Sequence, residues 1–119
     1  MPTTSIVDNY SVGLDNAEIR LKVSMSNDMD ISRSTVRINK EPLGQFDDDI
    51  DIVLGKAFDL IGSIIYIDTT ETNKDKTKPG VTDFKVELTG GPEPYSNSKS
   101  QTVSPGNAVL YTAEITLVP

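Results

Sequence analysis

The chain has 119 residues, with 11 Lys or Arg against 18 Asp or Glu, so its net charge at pH 7 is −7. It contains no His, Cys or Trp. These counts exclude disulfides, thiolate metal sites and nucleophiles activated by histidine, and an acidic chain repels phosphate backbones. We therefore expect a protein that is not an enzyme, binds no nucleic acid and needs no cofactor other than, in one alternative given below, calcium.

Location and domain organisation follow from the same composition. Residues 1–5 lack the basic and apolar segments of a signal peptide, and no stretch approaches the roughly 20 apolar residues of a membrane span. We expect a cytoplasmic protein by default, although export by a leaderless route would leave the same sequence. No linker or change of composition divides the chain, so residues 1–119 are expected to form one domain.

In the first half of the chain, alternation of apolar and polar residues predicts the strands. It is weak in residues 6–14, regular in 17–25, weak in 35–38, and loses its phase within 50–54. Gly55 and Gly62 then enclose six residues, too few for a full helix. We interpret them as a crossover that places Phe58 and Leu60 in the core.

The second half begins with Ile-Ile-Tyr-Ile at residues 64–67, a continuous apolar run typical of a central strand covered on both faces. Regular alternation returns in residues 84–88 and 109–117. Between these strands, Lys74, Lys76 and Lys78 precede Pro79. They predict either the charged tip of a hairpin or a cationic contact surface for an acidic partner or for another copy.

Residues 90–106 form the longest segment without a clear pattern. Loops of this length are uncommon in compact domains and are often functional. Tyr95 is one of few aromatic residues and lies in this segment, so it is a candidate partner anchor. The alternative is a short edge strand near residues 100–103 between two ordinary turns.

Short strands separated by turn signals predict an all-β fold. We expect an antiparallel β-sandwich of about seven strands, immunoglobulin-like or Greek-key, with a small β-barrel as the alternative. The Cys pair and core Trp of true immunoglobulin domains are absent.

Acidic clusters are the candidate metal site, because carboxylate oxygens are the ligands that calcium prefers. One cluster contains Asp28 and Asp30, and the other contains Asp47, Asp49 and Asp51. Neither fits the glycine and final glutamate of an EF-hand loop. The alternative is a pair of solvated acidic loops.

These features predict a non-enzymatic binding or structural module, as a protomer or accessory component of a larger assembly. Its partner would be another protein or a second copy, contacted through loops at one end of the sandwich or by strand addition at an exposed edge. The alternative is a calcium- or carbohydrate-binding module. A sugar site would need an exposed aromatic platform, for which Tyr10 and Tyr95 are the candidates.

Overall fold

A computed structural model describes residues 1–25 and 30–119, apart from the side chains of Asp30 and Ile31. Two sheets pack as a sandwich, which confirms the predicted fold class, whereas the barrel alternative is wrong because the sheets do not close. The described residues form nine strands rather than about seven: β1 (Thr3–Ser11), β2 (Glu18–Met25), β3 (Asp30–Ile38), β4 (Glu41–Phe46), β5 (Ile50–Lys56), β6 (Ile64–Asn73), β7 (Gly80–Thr89), β8 (Tyr95–Val103) and β9 (Ala108–Val118). A single helical turn, α1 (Ala57–Leu60), joins β5 to β6.

The strands are ordered β1-β9-β6-β3-β4 in the five-stranded sheet and β5-β2-β7-β8 in the four-stranded sheet. All neighbouring pairs are antiparallel except β1 and β9, which run parallel. The β3–β4 and β7–β8 connections are hairpins, whereas every other connection between described strands passes to the opposite sheet. Strands adjacent in sequence are therefore mostly not adjacent in a sheet.

The core lies between the sheets and is built from the alternating residues predicted in three of the strands. Full burial of one such aliphatic or aromatic side chain contributes about 1.5–3 kcal/mol. The ring of Phe84 stacks on that of Tyr111, with centroids 5.1 Å apart, and so joins the two sheets at their centre. The buried residues of β2, β7 and β9 are Ile19, Leu21, Val23, Phe84, Val86, Leu88, Val109, Tyr111, Ala113, Ile115 and Leu117.

The run at residues 64–67 is a central strand as predicted, but it is not covered on both faces. Ile65 and Ile67 are fully buried, whereas Ile64 and Tyr66 are half-buried. The reason is that β6 lies in a two-layer sandwich, so one face of its sheet is turned to solvent. There the Arg37 guanidinium lies 4.1 Å from the centre of the Tyr66 ring.

The crossover at α1 was predicted half correctly. Leu60 is buried in the core, but Phe58 is 55% exposed. Ala57 and Leu60 are three positions apart, so a helical turn places both on its buried face and turns Phe58 away.

The lysine-containing segment is not a hairpin tip, because β6 and β7 belong to different sheets. It is a crossover held by the buried side chain of Asn73, which donates to the carbonyl oxygens of Lys78 (2.9 Å) and Val103 (3.2 Å) and accepts from the Asp75 amide (3.0 Å). The edge strand suspected near residues 100–103 exists but is longer, since β8 begins at Tyr95.

Candidate contact surface

The outer edge of β1 presents backbone groups that no described strand pairs with. The Leu110 amide donates to the Pro2 carbonyl (2.9 Å) and the Val12 amide donates to the Val118 carbonyl (2.8 Å). In a parallel ladder alternate residues bond to the same neighbour. Even-numbered residues of β1 therefore direct their backbone groups towards β9, and the odd-numbered residues Thr3, Ser5, Val7 and Asn9 direct theirs to the open side of the strand. The Ser11 carbonyl is also turned away from β9, but it lies against Gly91.

The side chains of β1 follow the same alternation. Ile6 and Tyr10 point inward and are buried, whereas Val7 points outward and is 75% exposed. Over its nine residues β1 keeps an unbroken register with β9 and contains no Gly, Pro or Lys. A long, regular edge of this kind is a template for pairing with another strand.

Beneath β1, side chains from both sheets close the core. The Tyr10 hydroxyl accepts a hydrogen bond from the Gly91 amide (2.8 Å), and the Tyr10 ring meets that of Tyr95 edge-on, with centroids 6.1 Å apart. The Tyr95 hydroxyl donates to Asp8 Oδ2 (2.9 Å). Burial of Tyr95 and its bond to the Asp8 carboxylate raise the pKa of Tyr95 to about 12. A side chain at Gly91 would collide with the Ser11 carbonyl, so this approach requires glycine. We call these residues the β1–β8 contact.

One feature of β1 opposes strand pairing. Asp8 is a charged residue at an inward position of an edge strand, and its Oδ1 accepts a hydrogen bond from the Asn9 amide (3.0 Å). On the outward-facing backbone, the amides of Thr3, Ser5 and Val7 come before the Asn9 amide and are not bonded by Asp8. To bond the Asn9 amide, an added strand would have to displace the Asp8 carboxylate from it.

Two of the other three sheet edges, β4 and β5, are interrupted more heavily. In β4, Pro42 lacks an amide hydrogen, Gly44 has a φ of 148°, and the register with β3 shifts at a bulge. In β5, the register with β2 shifts beside Gly55, and the strand runs directly into α1. The β8 edge keeps an unbroken register with β7, and it carries Lys99 at a core-facing position opposite the buried Phe84, which discourages pairing as Asp8 does in β1.

Between β4 and β5 the core is covered incompletely, and an open depression of about 720 Å³ results. Its apolar walls are formed by Ile38, Leu43, Leu54 and Leu60, with Lys40, Glu41 and Asp59 among its charged groups. No aromatic side chain is among the described residues that line it, so it lacks a stacking platform for a sugar ring.

The predicted calcium ligands either bond to different partners or lie outside the described residues. Asp28 is outside the described residues, and only the backbone of Asp30 is described, opposite Asn73. Asp47 accepts from Arg33 Nε (3.2 Å), and Asp49 accepts from the Met25 amide (2.9 Å).

Asp51 lies 2.6 Å from the Arg20 guanidinium, and this hydrogen bond lowers the pKa of Asp51. Within residues 1–25 and 30–119, no group of three or more acidic side chains is placed to hold a metal ion. The calcium site therefore stays a prediction.

The predicted contact residues are placed as follows. Lys74, Lys76 and Lys78 are exposed on a turn organised by Asp75. The Asp75 carboxylate accepts from the Thr77 amide (2.8 Å), the Thr77 hydroxyl (2.7 Å) and the Lys78 amide (3.2 Å), and these bonds lower the pKa of Asp75. Tyr95 is half-buried in the β1–β8 contact.

The β1 edge was not predicted from the sequence. Its outward backbone depends on a parallel partner far along the chain, as the hydrogen bond between Ser5 and Thr112, 107 residues apart, illustrates. The absence of Gly, Pro and Lys from residues 3–11 was the one local signal.

No helix within the described residues is long and apolar enough to cross a membrane. The chain was compared with models of known protein families, with curated proteins and with solved structures, and none of the three comparisons gave a match.

Proposed function

We propose that this protein is a non-enzymatic binding module that recognises an extended segment of a partner protein by strand addition at the β1 edge. The observation that supports it is the outward backbone of residues 3–9, which continues a five-stranded sheet without a Gly, a Pro or a bulge. In this mode main-chain hydrogen bonds supply affinity and alternate side chains supply specificity.

Hydrogen-bond energies set the affinity to expect. Each intramolecular or interfacial hydrogen bond contributes about 0.5–1.5 kcal/mol net. Thr3, Ser5 and Val7 offer a donor and an acceptor each, whereas the Asn9 amide already donates to Asp8 and the Ser11 carbonyl lies against Gly91. A paired strand therefore gains a few kcal/mol before the cost of association is subtracted. We therefore expect micromolar rather than nanomolar binding, with the exposed Val7 as the main apolar contribution to specificity.

The β1 edge is also held in place before any partner arrives. The β1–β8 contact fixes the inner face of the strand through Tyr10 and Asp8, while hydrogen bonds to β9 fix one backbone side. Because these interactions involve inward side chains and even-numbered backbone groups, a partner at the outer edge would disturb them only at Asn9, whose amide donates to Asp8. Such preorganisation lowers the entropic cost of binding.

The proposal is tested by panning a phage-displayed library of random linear nonapeptides against the wild-type protein and two variants. Val7→Pro removes an outward amide without removing a hydrogen bond to β9, and Val7→Thr keeps the amide while changing the side chain. We expect peptides that bind the wild type and Val7→Thr but not Val7→Pro, with amide NMR shifts at Thr3, Ser5 and Val7. Peptides that bind Val7→Pro equally well, or a library from which none is enriched, would overturn the proposal.

A further inference from the structure

We infer that the strand received at this edge is β1 of a second copy, antiparallel to the first and related to it by a twofold axis at Val7. This inference rests on the proposed function and names its partner. It follows from the register, the exposure of Val7 and the charges near the edge.

The register favours Val7 as the centre. With the axis there, Thr3 faces Ser11, Ser5 faces Asn9 and Val7 faces its own copy, so every outward residue meets an outward residue. Antiparallel hydrogen-bonded pairs exchange two bonds each, and this centre gives the longest overlap of the two strands, with the Val7–Val7 and Ser5–Asn9 pairs in its middle. At each end of the overlap the Ser11 carbonyl lies against Gly91. A centre at any other residue of β1 shortens the overlap. One at Asp8 also sets two carboxylates opposite each other.

Val7 gives the pairing an apolar centre. It is 75% exposed, although the outward residues around it on β1 are polar. Hydrogen-bonded antiparallel pairs bring Cα atoms to about 5.5 Å, close enough for the two Val7 side chains to share their exposed surface. The association joins two five-stranded sheets into one continuous sheet and, being isologous, closes as a dimer.

Electrostatic repulsion between the two copies is weak at the interface itself. Each copy carries a net charge of −7, but Asp8 is the one charged residue of β1, and it faces Ile6 of the other copy in this register. Glu114 lies beside Val7 on β9, so the two copies of Glu114 are about three strand spacings, or ~14 Å, apart. That distance exceeds the Debye length of about 8 Å at physiological salt, so this repulsion is largely screened there, and we expect the dimer to weaken as salt is lowered to about 0.01 M, where the Debye length is about 30 Å.

The chain offers a clean covalent test because it has no cysteine. In an oxidised Val7→Cys variant, position 7 can be linked only to position 7 of another copy, and the expected Cα separation lies within disulfide range. We expect a covalent dimer, whereas Val81→Cys, at another exposed valine, stays monomeric. Ser5→Cys alone should not link, but a mixture of Ser5→Cys and Asn9→Cys should, which tests the register.

Sedimentation velocity from micromolar to millimolar protein provides the non-covalent test. We expect the wild type and Val81→Lys to dimerise, and Val7→Pro and Val7→Lys to remain monomeric with circular dichroism spectra like that of the wild type. A monomeric wild type at millimolar concentration, or a dimer that persists in both Val7 variants, would overturn this inference. The proposed function would still stand or fall on peptide binding, which is measured at dilute protein.

Discussion

The two lateral sides of the sandwich are closed in opposite ways. On the β1/β8 side, Tyr10, Tyr95 and Asp8 join the sheets through their side chains, while the outer backbone of β1 stays available. On the β4/β5 side, Pro42 and two bulges interrupt the strand edges, while the core is left partly open at the depression. One side is sealed by side chains and the other is protected along its backbone.

This difference separates stability from association. Side chains that face inward on β1 determine whether the core is closed, and backbone groups that face outward determine whether the strand can pair. Since the two sets alternate along one strand, neighbouring residues should give opposite phenotypes when they are changed. The β4/β5 side should not show this separation, because neither its edge nor its core cover is complete.

The largest effect is expected from proline substitutions at two adjacent positions. Ile6→Pro removes a buried side chain and a hydrogen bond to β9, which together cost about 3–6 kcal/mol. Val7→Pro removes neither, so we expect a change near 0.5 kcal/mol, typical of surface sites. Urea unfolding of both variants measures the difference. Equal losses would mean that the outward and inward backbone groups have been assigned incorrectly.

A second pair of variants compares the sides directly. Tyr10→Ala opens a cavity in the β1–β8 contact and should cost about 3–5 kcal/mol. Leu54→Ala, in the half-buried wall of the depression, should cost about 1–2 kcal/mol, because much of its side chain already meets water. Chemical denaturation at neutral pH measures both. A Leu54→Ala variant as unstable as Tyr10→Ala would contradict the view that the β4/β5 side is less completely closed.

The elements that sequence could predict are those with one buried face. Residues 17–25, 84–88 and 109–117 alternate because β2, β7 and β9 each have strand neighbours on both sides and a core beneath. β8 gives no such signal: at the edge, its core-facing positions include Lys99 and Asn97, so polar residues occupy both faces. Its sequence therefore resembles a loop.

The assignment of strands to the two sheets and the position of the β1 edge could not be predicted from the sequence. Nothing in residues 74–80 distinguishes a hairpin from a crossover, since both use Asp, Thr, Pro and Gly. The direction of Phe58 depends on the phase of one helical turn. The β1 edge depends on which strand lies beside β1, and the parallel pairing with β9 leaves no local pattern.

The β1–β8 contact should contribute to the pH dependence of stability through Tyr95. The pKa of Tyr95 is about 12 in the fold and about 10 in an unfolded chain. Because the folded state holds this proton more firmly, its stabilising contribution is complete below pH 10 and is lost as the pH rises towards 12. We expect Tyr95→Phe to lose part of that slope in urea unfolding, whereas Tyr66→Phe, on the solvent face of the five-stranded sheet, keeps it. Identical slopes in the two variants would contradict the burial of Tyr95 and its bond to Asp8.

The smallest change in stability is expected from a substitution of Pro42, one of the features that hinder strand pairing at the β4 edge. Pro42→Thr restores an amide and a residue of high β propensity to this edge, and since Pro42 is exposed, the free energy of unfolding should change by about 0.5 kcal/mol or less. The substitution is made in the Val7→Pro background, so that association at β1 is absent. Concentration-dependent sedimentation in the double variant, and not in Val7→Pro alone, would show that Pro42 keeps β4 from pairing. A monomeric double variant would instead assign that role to the bulge and to Gly44, whose φ of 148° interrupts the strand even when the amide is restored.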